Sequence, residues 1–75
     1  MEFSFDKVAN ALYLRFSHES IQSSEEIVEG VIIDYGQDDN LIGIEILNFT
    51  KKKLNLNELI QMPAEEIIPM IVRCQ

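Results

Sequence analysis

Residues 31–49, VIIDYGQDDNLIGIEILNF, hold two apolar runs rich in branched side chains on either side of a polar knot of Gly36, Gln37, Asp38, Asp39 and Asn40. Alternation places Val31, Ile33 and Tyr35 on one face of a first strand, and Ile42, Ile44 and Ile46 on one face of a second. The pattern predicts a β-hairpin whose six inward side chains form the core. Its connection needs at least one residue at positive φ, which Gly, Asn and Asp tolerate best.

The rest of the first 50 residues extends this sheet. Phe3 and Phe5 share a face of a strand over residues 2–5. Asp6 to Asn10 then reads as a tight connection, with Asp6 accepting from backbone two residues on and Asn10 able to turn left-handed. Residues 11–17 alternate, with Leu12, Leu14 and Phe16 inward and Tyr13, Arg15 and Ser17 outward. After a polar loop, residues 23–29 are expected as a charged edge strand, which discourages edge-to-edge association. The prediction is an α+β fold in which a five-stranded antiparallel β-meander is followed by one or two short C-terminal helices. Residues 1–50 supply the sheet, and residues 51–75 a helical segment packed on it or on a second subunit, within one domain.

In that C-terminal part, Asn57 is expected to cap a helical turn through Met62, and Pro63 to open a new helix with Glu65 and Glu66 in its first turn. Leu56, Leu59, Ile60, Ile67 and Ile68 supply a buried stripe. Pro69 should kink or end that helix, leaving Met70 to Gln75 either as an extended tail or as a further turn.

At 75 residues, a single core supplies only roughly 3–5 kcal/mol unless something staples the fold. One cysteine, Cys74, excludes an internal disulfide, and with one histidine, His18, a Cys/His zinc site within one chain is excluded too. The expected remedy is self-association as a homodimer or larger homo-oligomer. Tyr13, Val28, Ile32 and Leu47 fall on the outward face, and Met70, Ile71 and Val72 are too apolar for water. These seven residues are the candidate interaction surface.

The net charge of −7 is uneven, with −8 on residues 1–50 and +1 on the last 25. An acidic sheet repels phosphate backbones, so direct nucleic-acid binding is not expected, whereas a basic protein partner would be steered towards it. No stretch approaches a membrane span, and MEFSFDKV lacks a signal-peptide pattern, so the expected location is cytoplasmic.

No catalytic, metal or cofactor motif is present. Asp34, Asp38, Asp39 and Glu45 lack the ligand order of a calcium loop, and the turn accounts for Asp38 and Asp39. Asp34 and Glu45 could form a carboxylate pair, but no His, Cys or Ser nucleophile with an orienting partner accompanies them. His18 beside Ser17, Glu19 and Ser20 is proximity in sequence alone. Lys51, Lys52 and Lys53, without interleaved aromatics, are a weak phosphate signal.

Two segments, DKVANALYLRF (6–16) and GVIIDYGQDDNLIGIEILNFTKK (30–52), resemble the short bacterial domains grouped as domain of unknown function 2283. Asp6, Ala9, Ala11, Leu12, Tyr13 and Arg15 match its first motif. Gly30, Val31, Asp34, Tyr35, Asp38, Gly43, Ile44, Glu45, Ile46 and Leu47 match its second. Asn10 departs from the family's Asp, Asp39 from its Gly, and Asn48-Phe49-Thr50 from its Asp-Ala-Ser. The resemblance implies a compact sheet domain and supplies no catalytic residues.

The function expected is a non-enzymatic interaction module, antitoxin-like in one form, as the neutralising half of a two-protein bacterial system. The alternative is a small-molecule or metal-ion site using Tyr13, Arg15, Asp34 and Glu45 on one sheet face.

Overall fold

The computed structural model describes residues 1–73; Cys74 and Gln75, and with them the end of the expected tail, lie outside the described residues. Five strands, β1 (Glu2–Asp6), β2 (Ala11–Arg15), β3 (Ser23–Val28), β4 (Val31–Tyr35) and β5 (Leu41–Ile46), form one antiparallel sheet. Two helices follow, α1 (Leu56–Leu59) and α2 (Ala64–Arg73).

The strands lie in the order β1-β2-β5-β4-β3. Successive strands are spatial neighbours except β2 and β3. The central place goes to β5, whose Ile44 and Ile46 stand opposite Leu14 and Leu12 on one side and Ile33 and Val31 on the other. Pairing β2 with β5 buries all six side chains, whereas pairing it with β3 would set apolar residues against Glu25 and Glu26. Strand β3 takes the edge, as its charge demands.

The connections follow local chemistry. Asp6 accepts from the Val8 amide at 2.9 Å, and Asn10 is left-handed at φ 54°. In the β4–β5 connection Asp38 and Asp39 adopt φ 57° and 60°, while Gly36 stays at φ −99°. The positive φ thus falls on aspartates, whose short polar side chains tolerate it. Gly30, between β3 and β4, has φ 79°, where any side chain would be strained.

Leu12, Leu14, Val31, Ile33, Ile44 and Ile46 are joined in one buried cluster by Leu59, Ile67 and Ile71 from the helices. The C-terminal segment therefore covers the sheet's core face. Asn55, not Asn57, caps α1, its side chain accepting from the Glu58 amide at 3.2 Å. With the cap two residues earlier, Leu56 and Leu59 fall three apart on the side facing the sheet.

Helix α2 runs unbroken through Pro69 to Arg73, so of the alternatives open at Pro69 the chain takes further helical turns. Ile67 and Ile71 lie four apart, so both reach the core. Burying each stabilises by roughly 1.5–3 kcal/mol, enough to offset the ~3 kcal/mol cost of an interior proline. Pro69 itself faces outward, exposed.

Three of the residues expected outside are turned to this core. Ile71 is fully buried and Met70 packs partly against the cluster. Val28 does the same because the register shifts between Glu26 and Val28, bringing Val28 opposite the core-facing Val31; the bulge inserts one residue and reverses the alternation. In the other direction, Phe3 and Phe5 keep 48% and 40% exposure, since the helices cover the middle of the sheet and β1 lies at its margin. The Phe5 and Phe49 rings meet in an edge-type arrangement, 6.1 Å between centroids.

Candidate functional site

Because both helices lie on the core face, the opposite face of the sheet has no covering element among the described residues. Register sets its rows. Ser4, Tyr13, Glu45, Ile32 and Glu26 follow one another across the five strands, and beside them run Glu2, Arg15, Gly43, Asp34 and Ser24. Tyr13, Arg15, Asp34 and Glu45, the four residues of the alternative site, are thus brought onto one face. Of the expected interaction residues, Tyr13 and Ile32 stand here, half-buried; Leu47 is half-buried near Gly30, and Val72 is 40% exposed on α2.

The face is organised by one side chain. Tyr13 leaves β2, crosses β5 and donates its hydroxyl to Asp34 Oδ2 on β4 at 2.7 Å, while Ser24 Oγ on β3 donates to Asp34 Oδ1 at 2.6 Å. Gly43 makes the crossing possible. A Cβ there would overlap the Tyr13 hydroxyl and Cζ and come 2.9 Å from the Leu14 carbonyl oxygen. A glycine inside a strand signals such an approach. Four strands are tied together by this arrangement, β2 over β5 to β4 and on to β3. Arg15 lies above the Tyr13 ring, its Cζ 5.3 Å from the centroid, and donates to the Ser17 carbonyl at 3.2 Å.

The same arrangement sets the chemistry. Burial, then the hydrogen bond to Asp34 and its charge, push the Tyr13 phenol up from 10.0 to about 12, with Arg15 opposing and Glu45 adding to the rise. At neutral pH Tyr13 is a fixed neutral donor and has no capacity as a base. Asp34→Asn removes the carboxylate's charge and is expected to bring the phenol partway back toward 10.0, read as phenolate absorbance in an alkaline titration. The sign for stability follows. Between pH 10 and 12 the unfolded chain releases this proton and the folded chain keeps it, so the unfolded state binds fewer protons and stability falls as pH rises. Below pH 10 the contribution is complete. Thermal melts of the parent chain across this window should show the decline, and Asp34→Asn should flatten it.

The other sequence candidates stay apart. His18 is exposed and pairs with Glu2 at 3.0 Å, and Ser17 Oγ donates to Glu19 at 3.2 Å; no nucleophile is assembled. Asp38 and Asp39 are exposed in their turn. Among the described residues no group of three or more His, Cys, Asp or Glu could hold a metal, and no helix is long and apolar enough to cross a membrane. A shallow hollow of about 120 Å³ lies at Glu2, Phe3, Ser4, Tyr13 and Arg15, well below the roughly 300–1,000 Å³ of small-molecule sites.

Alternation alone missed the Tyr13–Asp34–Ser24 chain because it spans strands whose adjacency is not local. The signal was Gly43, a lone glycine amid isoleucines.

No curated protein and no solved structure matches the chain. A family model described as a protein of unknown function (DUF2283) matches residues 2–49, which takes in all five strands and stops short of both helices. The chain therefore belongs to the DUF2283 family of proteins of unknown function.

Proposed function

We propose that this chain is a non-enzymatic interaction module that docks a basic protein on its open sheet face. The observation that carries the reading is the composition of that face. Tyr13 and Ile32 lie among Glu2, Glu26, Asp34 and Glu45 with Arg15 as the one cation, so the face carries −3 around an apolar centre. Apolar side chains framed by one sign of charge favour a partner of opposite charge, which is drawn in electrostatically and then desolvates the middle. The rigid Tyr13–Asp34–Ser24 tie holds the surface in one shape before binding, which lowers the ordering cost. Protein docking is favoured over a small ligand on this face by the shallowness of the hollow. The neutralising half of a two-protein system, an antitoxin-like role, is the specific form in which a small acidic module meets a basic partner.

Self-association uses a different surface. Two acidic faces repel each other, whereas β1 offers an edge of unpaired backbone with Phe3 and Phe5 exposed beside it, the features that let a second copy add a strand.

Crosslinking in a lysate of the source organism tests the docking. The expected result is one basic protein, lost on Ile32→Glu or at high salt and retained by Phe5→Ser. The reading is overturned if capture is indifferent to Ile32→Glu, or if nothing is captured and light scattering gives a monomer.

A further inference from the structure

Away from the sheet face, the turn between β3 and β4, the segment after β5 and the end of α2 enclose an open groove of about 670 Å³. It is lined by Glu29, Gly30, Asn48, Lys51, Lys52, Lys53 and Arg73. We infer that this groove binds a small anion of the polyphosphate class, two or more linked phosphoryl groups carried on a compact molecule.

Charge is the first argument. The groove gathers four of the chain's six lysines and arginines with one carboxylate, Glu29, a lining of +3 in a chain of −7, which leaves −10 for the rest. Like charges gathered this way repel one another, and an acidic protein offers many carboxylates to neutralise them. Among the described residues none of the four cations is in an ion pair, as is also true of Lys7 and Arg15. A multiply charged anion supplies the missing counter-charge.

Geometry is the second. The three lysines come from consecutive positions and Arg73 from the far end of α2, so their meeting is a product of the fold. Lys52 lies beside the Gly30 turn, its Nζ 3.5 Å from where a Cβ of residue 30 would stand, which is ordinary contact. Three ammonium groups act as point charges and the guanidinium as a planar two-pronged donor, the pairing that suits phosphoryl oxygens. The volume lies within the roughly 300–1,000 Å³ of small-molecule sites.

The surroundings decide the kind of phosphate. No aromatic residue lines the groove, so nothing there stacks a base. A nucleic acid must also continue past the groove onto a surface carrying the remaining −10, which repels its backbone. A compact anion meets only the groove. Its four cations lie beyond the residues matched by the family model, while Glu29, Gly30 and Asn48 lie within them.

Calorimetric titration of the full chain with inorganic tripolyphosphate, pyrophosphate and orthophosphate at matched ionic strength tests this. Binding should be saturable, one to one, and tighter with each added phosphoryl group. Lys53→Gln and Arg73→Gln, both at exposed positions and checked for folding by circular dichroism, should each weaken tripolyphosphate binding by about tenfold, a loss appropriate to one charge-assisted contact. Glu29→Gln should tighten it, and Lys7→Gln, in the β1–β2 turn, should leave it unchanged. The inference is overturned if no saturable binding occurs in the millimolar range, or if Lys7→Gln weakens it as much as Arg73→Gln. It is equally overturned if a single-stranded oligonucleotide binds more tightly than tripolyphosphate at equal phosphate concentration.

Discussion

Ile44→Ala should leave the chain largely unfolded at room temperature. Ile44 is fully buried on the central strand, opposite Leu14 on one neighbour and Ile33 on the other, in the cluster that Ile67 and Ile71 close from above. The row across β2, β5 and β4 is held by its ladders and the helix lies over it, so the backbone around the vacated space has little room to collapse. The loss is therefore expected in the upper half of the range for such truncations, about 3–5 kcal/mol. A domain of this length commands only roughly 3–5 kcal/mol in all. Urea titration followed by circular dichroism would show the folded baseline gone or confined to the lowest concentrations. Ile44→Val, losing one methyl, should cost about 0.5–1.5 kcal/mol and keep a cooperative transition. A loss below about 1 kcal/mol for the alanine variant would mean that the helices do not cover this face.

One residue away and facing the other side, Gly43→Ala is expected to cost about 2–3 kcal/mol for a different reason, the upper part of the range for either overpacking or a lost charge-assisted hydrogen bond, since the ring relieves the first by giving up the second. The added methyl occupies the space of the Tyr13 hydroxyl and ring. The ring must swing away or β5 must shift, and in either case Asp34 loses the 2.7 Å donor. A double-mutant cycle identifies the cause. In Tyr13→Ala the methyl meets no ring and keeps only the 2.9 Å approach to the Leu14 carbonyl oxygen, so adding Gly43→Ala there should cost less than in the parent chain by about 0.5–3 kcal/mol, the coupling found for residues in contact. Additive costs would show that Tyr13 does not cross at this point. The fluorescence and alkaline titration of Tyr13 should change in Gly43→Ala alone, with the phenol moving from about 12 back toward 10.0 as its acceptor is lost.

These two neighbours show what could be read in the sequence and what could not. Ile44 was legible because alternation is local: Ile42, Ile44 and Ile46 declare a buried face whatever strand lies beside them. The left-handed Asn10 and the Asp6 turn were legible for the same reason, each depending on residues two to four positions away. The partner of β2 was not local. Alternation gives every strand two faces but says nothing of who sits beside it, and the order of the sheet was settled by which strands could bury most together. The Tyr13–Asp34 bond inherits that blindness. Val28 misled because a single inserted residue reverses the alternation, and Ile71 because Pro69, taken alone, argues against a helix that two buried isoleucines maintain. The cationic groove was hidden more deeply, since Lys51 to Lys53 and Arg73 are separated by both helices and acquire a common role only when the last turn of α2 returns to the sheet.

The displaced position of β2 opens a route by which two copies of this chain could exchange parts. Residues 16–22 carry the chain past the ends of β5 and β4, some 14 Å at the usual strand spacing, and are the sole tether between the β1–β2 hairpin and the remainder. The hairpin docks by adding its backbone to β5, and β5 of any other copy presents the same socket. Two molecules can exchange hairpins and re-form every native bond without inventing an interface, the cheapest route to a dimer. Such a swapped pair would form slowly, persist on dilution and survive Phe5→Ser, whereas association through the β1 margin would be quick, reversible and abolished by it.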